Sequence, residues 1–414
     1  MNRRILKFAA LLAALCLAPA VLAACAAPAS IEPTQTPTPP ASQELAAEPA
    51  ATQAPAAEEP APTAEPAPTS AEQTPAETDD PWAVDSLTLE EKVGQMFFVR
   101  CPETDGAAMV AQYQPGGILL FGRDFEGLSR EQAAETIAAY QREAKIGLLV
   151  GVDEEGGDVV RASDNPQLSE APYRSMRALY AEGGTPLLCA AEAEKCRMLR
   201  GLGVNVNFAP VCDISDDPAA FMYARSLGLP PAETAAAIGE VVATYEAENV
   251  GTVLKHFPGY GNAADSHTGV VYDDRDLAAF EDGAFLPFKA GIDAGADCVL
   301  VTHNIVPCVD GEAPASLSAA WHAVLRDTLG FAGVIITDDL SMGGVTNYTD
   351  GASSAVAAVL AGNDMLCCTD FETQIPAVLR AVEDGTISEA RIDESVLRIL
   401  RWKLERGIIA AQTE

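Results

Sequence analysis

The chain has 414 residues, 26 lysines and arginines against 60 aspartates and glutamates, a formal charge of -34, and four histidines. Such an acidic chain lacks the basic face that phosphate binding needs, which argues against nucleic acid as a partner. The few histidines and the lack of a CxxC pair give no sign of a zinc centre. The length allows two domains, or one large domain with appendages.

In chain order, residues 1–24 read as a bacterial export signal. Arg3, Arg4 and Lys7 precede the apolar stretch "FAALLAALCLAPAVLAAC", the pattern of a charged n-region and an apolar h-region. It ends in Leu22-Ala23-Ala24-Cys25, which resembles a lipobox. That resemblance implies that Cys25 is acylated and becomes the new N-terminus. The competing reading is an uncleaved anchor, because the apolar run approaches the roughly 20 residues of a membrane span. Both readings place the rest of the protein on the extracytoplasmic face of a membrane.

Residues 25–80 follow as the lipidated cysteine and a linker. From Ala26 to Asp80 the sequence is mostly Ala, Pro, Thr and Glu, with ten acidic residues and no lysine or arginine. Such a segment has too little apolar surface to offset its chain entropy and is expected to be a disordered, extended tether. The folded part is expected over 81–414.

There, short aliphatic runs alternate with segments of helical period. The runs are "VGQMFFVRC" (93–101), "GGILLFG" (116–122), "LLVGVDEEGG" (148–157), "VNVNFAPVCDI" (204–214), "GTVLKHFPG" (251–259), "DCVLVTHN" (297–304), "GVIITDDL" (333–340) and "DMLCCTD" (364–370). Helix candidates between and after them include "SREQAAETIAAYQREAK", with Ser129 as N-cap and Gln132 three residues on, "PPAETAAAIGEVVATYEAEN" and "SEARIDESVLRILRWKLERG". Eight strands, most followed by a helix, predict a single α/β domain, a (β/α)8 TIM-type barrel. A doubly wound open sheet competes, but it would normally show a Gly-rich phosphate fingerprint after its first strand. Eight cysteines lie beyond Cys25, mostly inside apolar runs, and are expected to be buried thiols, although an exported protein can form disulfides.

A barrel puts its active site at the C-terminal ends of the strands. Asp153, Glu155, Asp213, Lys255, His256, His303, Asp338, Asp339 and Asp370 all fall at or just after the end of a run. The segment "LKHFPGYGNAADSHTG" gathers His256 and His267, with Asp265 two residues before the latter, into a glycine-rich loop. Taken alone, His267 reads as a surface loop residue, and Lys255 and His256 could pair with Glu155 inside the barrel. His303 reads as a packed core residue and His322 as peripheral. Periodicity does not separate Asp338 from Asp339.

At "KHFPGYGNAADSHTG" and "GFAGVIITDDLSM" the sequence resembles glycoside hydrolase family 3, in its β-N-acetylhexosaminidase branch, and the resemblance runs from about Leu87 to Gly407. It implies that Asp338 is the nucleophile and that His267, partnered by Asp265, is the general acid/base. It further implies that Asp153, Arg161, Arg225, Lys255 and His256 grip the non-reducing-end sugar. Asp339 then braces neighbouring loops. Three positions depart from the pattern: Tyr260 stands where many members have histidine, the Lys255–His267 loop is one residue shorter, and Asp158 follows the "EGG".

The chemistry is consistent with these residue types. Retaining hydrolysis needs a carboxylate below the anomeric carbon and a proton donor near the leaving oxygen. Histidine, with an ordinary pKa of about 6.5, already titrates near the working range. The glycines around His267 suggest a flap that swings in over substrate. The expectation is a retaining exo-β-N-acetylglucosaminidase that needs no metal or other cofactor, acts on peptidoglycan fragments or related oligosaccharides, and is monomeric. A phosphorolytic enzyme of the same branch and a non-catalytic muropeptide-binding lipoprotein are the alternatives.

Overall fold

The structure, a computed structural model, describes residues 84–410. The expected export signal, Cys25 and the acidic tether lie outside the described residues. Eight parallel strands form the frame: β1 (Phe97–Arg100), β2 (Gly117–Leu120), β3 (Leu149–Val152), β4 (Val206–Asn207), β5 (Gly251–Phe257), β6 (Cys298–Val301), β7 (Val334–Thr337) and β8 (Leu366–Cys368). β1 pairs with both β2 and β8, and β7 meets β8 through a parallel bridge between Ile336 and Met365. The sheet thus curls back on itself as a (β/α)8 barrel, and the open-sheet alternative is excluded.

The strands are buried along their length because helices cover the outside and side chains fill the inside. β2, β3, β6 and β7 are buried at every position. Along the barrel axis Phe98 and Phe208 meet edge to face at 5.1 Å. Two strand glycines make room for these rings. A Cβ on Gly151 would lie 2.7 Å from Phe98 and 2.8 Å from Phe208, and one on Gly117 would lie 2.8 Å from Phe98.

Ser129 caps Arg130–Glu143 in a capping box with Gln132, as the spacing predicts. Pro231–Ala247 starts on proline, and Glu389–Glu405 closes the barrel from below. Two runs differ from their strands. The first, 93–101, opens inside the helix Leu89–Gln95, which Thr88 and Glu91 cap, so β1 begins only at Phe97. The fourth, 204–214, yields a two-residue β4, because Pro210 has no N–H to continue the ladder. Val211 then bridges to Lys255.

β5 is the longest strand and shifts register against β6 between Leu254 and Phe257. The Lys255–His256 peptide is cis. At the opposite end of the barrel, fully buried Lys403 donates to Gln95 Oε1 at 2.6 Å, and burial pushes its ammonium down to about 7. The eight cysteines among the described residues are free thiols, and all but Cys189 and Cys308 are buried.

Candidate active site

At the C-terminal ends of the strands lies a cavity of about 690 Å³, and Asp153, Arg161, Arg225, Lys255, His256, His267 and Asp338 all line it. Asp265 is not in the lining and reaches the cavity through His267. A larger depression of about 920 Å³, lined by Arg177, Tyr223, Tyr272 and Arg275 among others, contains none of these residues.

Glu155 is the hub of the β3–β5 side. Its carboxylate takes Arg225 bidentately, at 2.9 Å from Nε and 2.7 Å from Nη2, and accepts from Lys255 Nζ at 2.7 Å. Lys255 also donates to Asp153 at 2.7 Å, and Arg161 approaches the other Asp153 oxygen at 3.9 Å. Burial alone would raise the Glu155 pKa. Lys255 and Arg225 outweigh it and hold the carboxyl well below its ordinary value. Lys255 shows the mirror image: burial lowers it, but Asp153 and Glu155 raise it further, so it stays an ammonium.

His256 is fixed in one orientation. A guanidinium only donates, so Arg225 Nη2, 3.2 Å away, must face the lone pair on His256 Nε2. The ring proton then lies on Nδ1, which donates to Asp213 Oδ2 at 2.7 Å. Asp213 also accepts the backbone N–H groups of His256 and Tyr260, at 3.1 and 2.6 Å.

Just after β7, two adjacent aspartates both line the cavity but have different partners. Asp338 accepts the N–H of Asp339 at 2.9 Å. Burial pushes its carboxyl up, but the imidazoles of His303, His256 and His267 and the Asp339 N–H hold it below the ordinary value. Asp339 accepts from Ser341 N and from Thr369 N and Oγ1, tying the β7 loop to the β8 loop. His303 is fully buried. Its Nε2–H donates to the Asp339 carbonyl at 3.0 Å and its Nδ1 accepts from Ser316 at 2.7 Å, as suits a packed core residue. Burial lowers its pKa. His322 is buried too, donating Nδ1–H to the Ser318 carbonyl, and does not line the cavity.

The loop carrying His267 is fastened. His267 Nδ1 lies 2.5 Å from Asp265 Oδ1, which also accepts the His267 N–H at 2.9 Å. The Ser266 and His267 carbonyls accept the N–H groups of Gly344 and Gly343, at 2.9 and 3.1 Å. Buried Ser266 meets the hydroxyl of buried Tyr260, and the His267 ring approaches Phe221 edge-on at 6.0 Å. The loop expected to swing in over substrate is thus seated on the segment that follows Asp338.

The pairing of Lys255 with Glu155 inside the barrel, open from the sequence, is present, whereas His256 turns to Asp213 and Arg225. Other supporting residues escape the sequence reading. Glu154, fully buried, accepts the N–H groups of Arg161, Ala162 and Ser163, at 3.0, 2.7 and 3.3 Å, and so shapes the turn that presents Arg161. Lys195, paired with Glu192 at 2.8 Å, donates to the Glu155 carbonyl from behind at 3.0 Å. Among the described residues no cluster of three His, Cys, Asp or Glu side chains has metal-binding geometry. The arrangement offers a fixed, ionised carboxylate facing an imidazole across a cavity rich in hydrogen-bonding groups, a combination suited to acetal cleavage.

Residues 88–402 match the family model of the glycosyl hydrolase family 3 N terminal domain. A β-hexosaminidase of Xanthomonas campestris pv. campestris is 35% identical over 281 residues, 67% of this chain and 83% of that relative. Its counterpart in Methylococcus capsulatus is 30% identical over 304 residues, 72% of this chain and 89% of the relative. Among solved structures, the family 3 β-N-acetylglucosaminidase from Paenibacillus sp. str. FPU-7 superposes with a TM-score of 0.74 at 33% identity. That match covers 80% of this chain and 64% of the other, longer one. LpqI of M tuberculosis gives 0.72 at 28% identity, covering 78% and 96%.

Proposed function

The chain belongs to glycosyl hydrolase family 3 and is a glycoside hydrolase, and from that premise we propose that it is a retaining exo-β-N-acetylglucosaminidase. Asp338 is the nucleophile and His267, braced by Asp265, is the acid and base. Asp153, Arg161, Arg225, Lys255 and His256 hold the terminal sugar. Two of the relatives it resembles carry the name β-hexosaminidase, and one solved structure is a β-N-acetylglucosaminidase.

In the first step an Asp338 oxygen bonds to C1 as the C1–O bond to the leaving group breaks. His267 Nε2–H gives its proton to the departing oxygen. Asp265 on Nδ1 orients the ring and stabilises its charged form, the logic of an Asp–His pair in acyl transfer. In the second step water attacks C1, His267 takes its proton, and Asp338 leaves as the carboxylate. Two inversions give net retention. The observation that supports this reading is that Asp338 and an imidazole already paired to an aspartate line one cavity.

We further propose a lipid anchor at Cys25 that holds the enzyme, as a monomer, outside the cytoplasmic membrane, with GlcNAc-containing peptidoglycan fragments as substrate. The test is mass spectrometry after exposure to a 2-fluoro or 5-fluoro GlcNAc-type trap. A sugar adduct on Asp338 is expected; an adduct on Asp339 refutes the nucleophile assignment. If wild-type enzyme releases no nitrophenol from aryl β-GlcNAc, the activity itself is refuted. Formation of sugar-1-phosphate when phosphate is supplied would identify phosphorolysis instead.

A further inference from the structure

The depression of about 920 Å³ has no part in the proposed chemistry, yet the loop that carries His267 forms much of its wall. Gly261, Asn262 and Ala263 line it from before His267, and the segment from Tyr272 to Arg275 lines it from after. Arg275 fastens these two arms. Its Nε lies 2.9 and 3.0 Å from the two Asp273 oxygens, and its Nη2 donates to the Gly259 carbonyl. The rest of the wall comes from Arg177 and from the segment that follows β4.

The polar groups here are held in place but only partly used. Arg177 lies 3.9 Å over the Tyr223 ring, and its Nε and Nη2 donate to the Ser226 carbonyl and hydroxyl at 3.1 and 2.9 Å. These acceptors are neutral, and Nη1 has no hydrogen bond among the described residues. Asp216 accepts from Asn262 Nδ2 on one oxygen at 2.8 Å, which leaves the other open. Asp274 is exposed, with no side-chain partner among the described residues. Tyr272 is 58% exposed, although its backbone is clamped: Asp273 N–H donates to the Ile305 carbonyl at 2.9 Å, and Ile305 N–H to the Val271 carbonyl at 2.8 Å.

Each of these groups alone would be an ordinary solvated side chain. Together they surround one cavity, and their mixture selects a ligand. An anion would need donors without facing carboxylates, and a cation the reverse. Here two arginines stand among three aspartates, and the Arg275–Asp273 pair is already satisfied internally. What remains open is a donor on Arg177 and acceptors on Asp216 and Asp274. A hydroxyl group both donates and accepts, so a neutral polyhydroxylated ligand can use both kinds. The C–H face of a sugar ring can lie on an exposed tyrosine ring, whose rigid area is contacted at little entropic cost.

We propose that this depression is a second, non-catalytic saccharide site for a neutral oligosaccharide chain. Tyr272 is its platform, and Arg177, Asp216 and Asp274 are its hydrogen-bonding groups. The site goes beyond the proposed hydrolysis and uses no residue that lines the catalytic cavity. Because its walls include both arms of the His267 loop, a glycan held there is kept next to the catalytic cavity.

The experiment is a calorimetric titration of the full-length enzyme with a thio-linked tetramer of β-1,4-N-acetylglucosamine, which resists cleavage. A binding event that survives Asp153→Asn, a change inside the catalytic cavity, is expected. Tyr272→Ala should weaken that event about tenfold through loss of the platform. Its side chain is exposed, so the variant should unfold at the same urea concentration as wild type, which separates a lost platform from a lost fold. Loss of all binding in Asp153→Asn overturns the proposal, and so does wild-type affinity in Tyr272→Ala. Tighter binding of an acidic tetragalacturonate, or of the cationic tetramer without its acetyl groups, overturns the assignment of a neutral ligand. Aryl β-GlcNAc turnover is measured alongside: its absence sinks the proposed activity, whereas an event that survives Asp153→Asn and depends on Tyr272 upholds the second site on its own.

Discussion

The carbonyl oxygen of His267 accepts the backbone N–H of Gly343 at 3.1 Å. The proposed proton donor and the proposed nucleophile are therefore joined through five residues of chain and one hydrogen bond. The seat has no spare room. A Cβ on Gly343 would lie 2.9 Å from Gly269 N and 3.0 Å from His267 O.

Gly343→Ala should lift the loop and move the imidazole out of line with the leaving oxygen. Turnover of glycosides with poor leaving groups, which need the acid, should fall about tenfold or more, and activated aryl glycosides should lose much less. Overpacking should also cost about 1–3 kcal/mol of stability, read by urea unfolding. Equal kinetic losses on both substrate types would mean that the seat does not serve the acid.

Tyr260→Phe tests the same coupling more gently. The variant keeps the ring packed on His256, at 5.3 Å, but loses the hydroxyl that meets Ser266. The same leaving-group signature should appear in weaker form, with KM little changed. A rise confined to KM would instead assign the tyrosine hydroxyl to sugar binding.

The depressed Asp338 pKa sets the acid side of the pH profile. A nucleophile must be ionised, and the imidazoles around Asp338, the proposed one, outweigh its burial and hold its carboxyl below the ordinary value. The acid limb of kcat/KM should therefore fall below about pH 4 wherever Asp338 governs it. An acid limb at higher pH that shifts in Asp338→Glu would show the carboxylate to be raised instead.

Lys403 should make stability climb with pH. Its folded-state pKa of about 7 lies below the ordinary 10.5, so between those values the unfolded chain holds a proton that the folded chain does not. Stability must therefore rise with pH across that window. Lys403→Met should flatten the rise and stabilise the protein at neutral pH by about 1–3 kcal/mol, since the lost bond to Gln95 offsets only part of the gain. Parallel unfolding profiles for wild type and variant between pH 7 and 10 would refute the assignment.

The barrel was legible because eight aliphatic runs ended in polar residues, and every run contains a strand. The run ends were less legible. Nothing in "VNVNFAPVCDI" shows that the proline halts β4 after Asn207 while Val211 rejoins the sheet at Lys255. Asp153, Lys255, His256 and Asp338 lay at strand ends and His267 in a glycine-rich loop, whereas Arg161 and Arg225 were reached only through the family resemblance. Asp213 and Gly343 act across gaps of tens of residues, and one-dimensional periodicity carries no information about such pairs.

Phe98 and Phe208, wedged against Gly117 and Gly151, fill the barrel interior beside the cavity that Phe208 lines. On the proposed reading a floor of this kind makes the chain end enter, and both products depart, at the rim. A long glycan would then be nibbled from its tip and not cut midway. Digests followed over time should release monosaccharide from the outset while the polymer's viscosity barely changes.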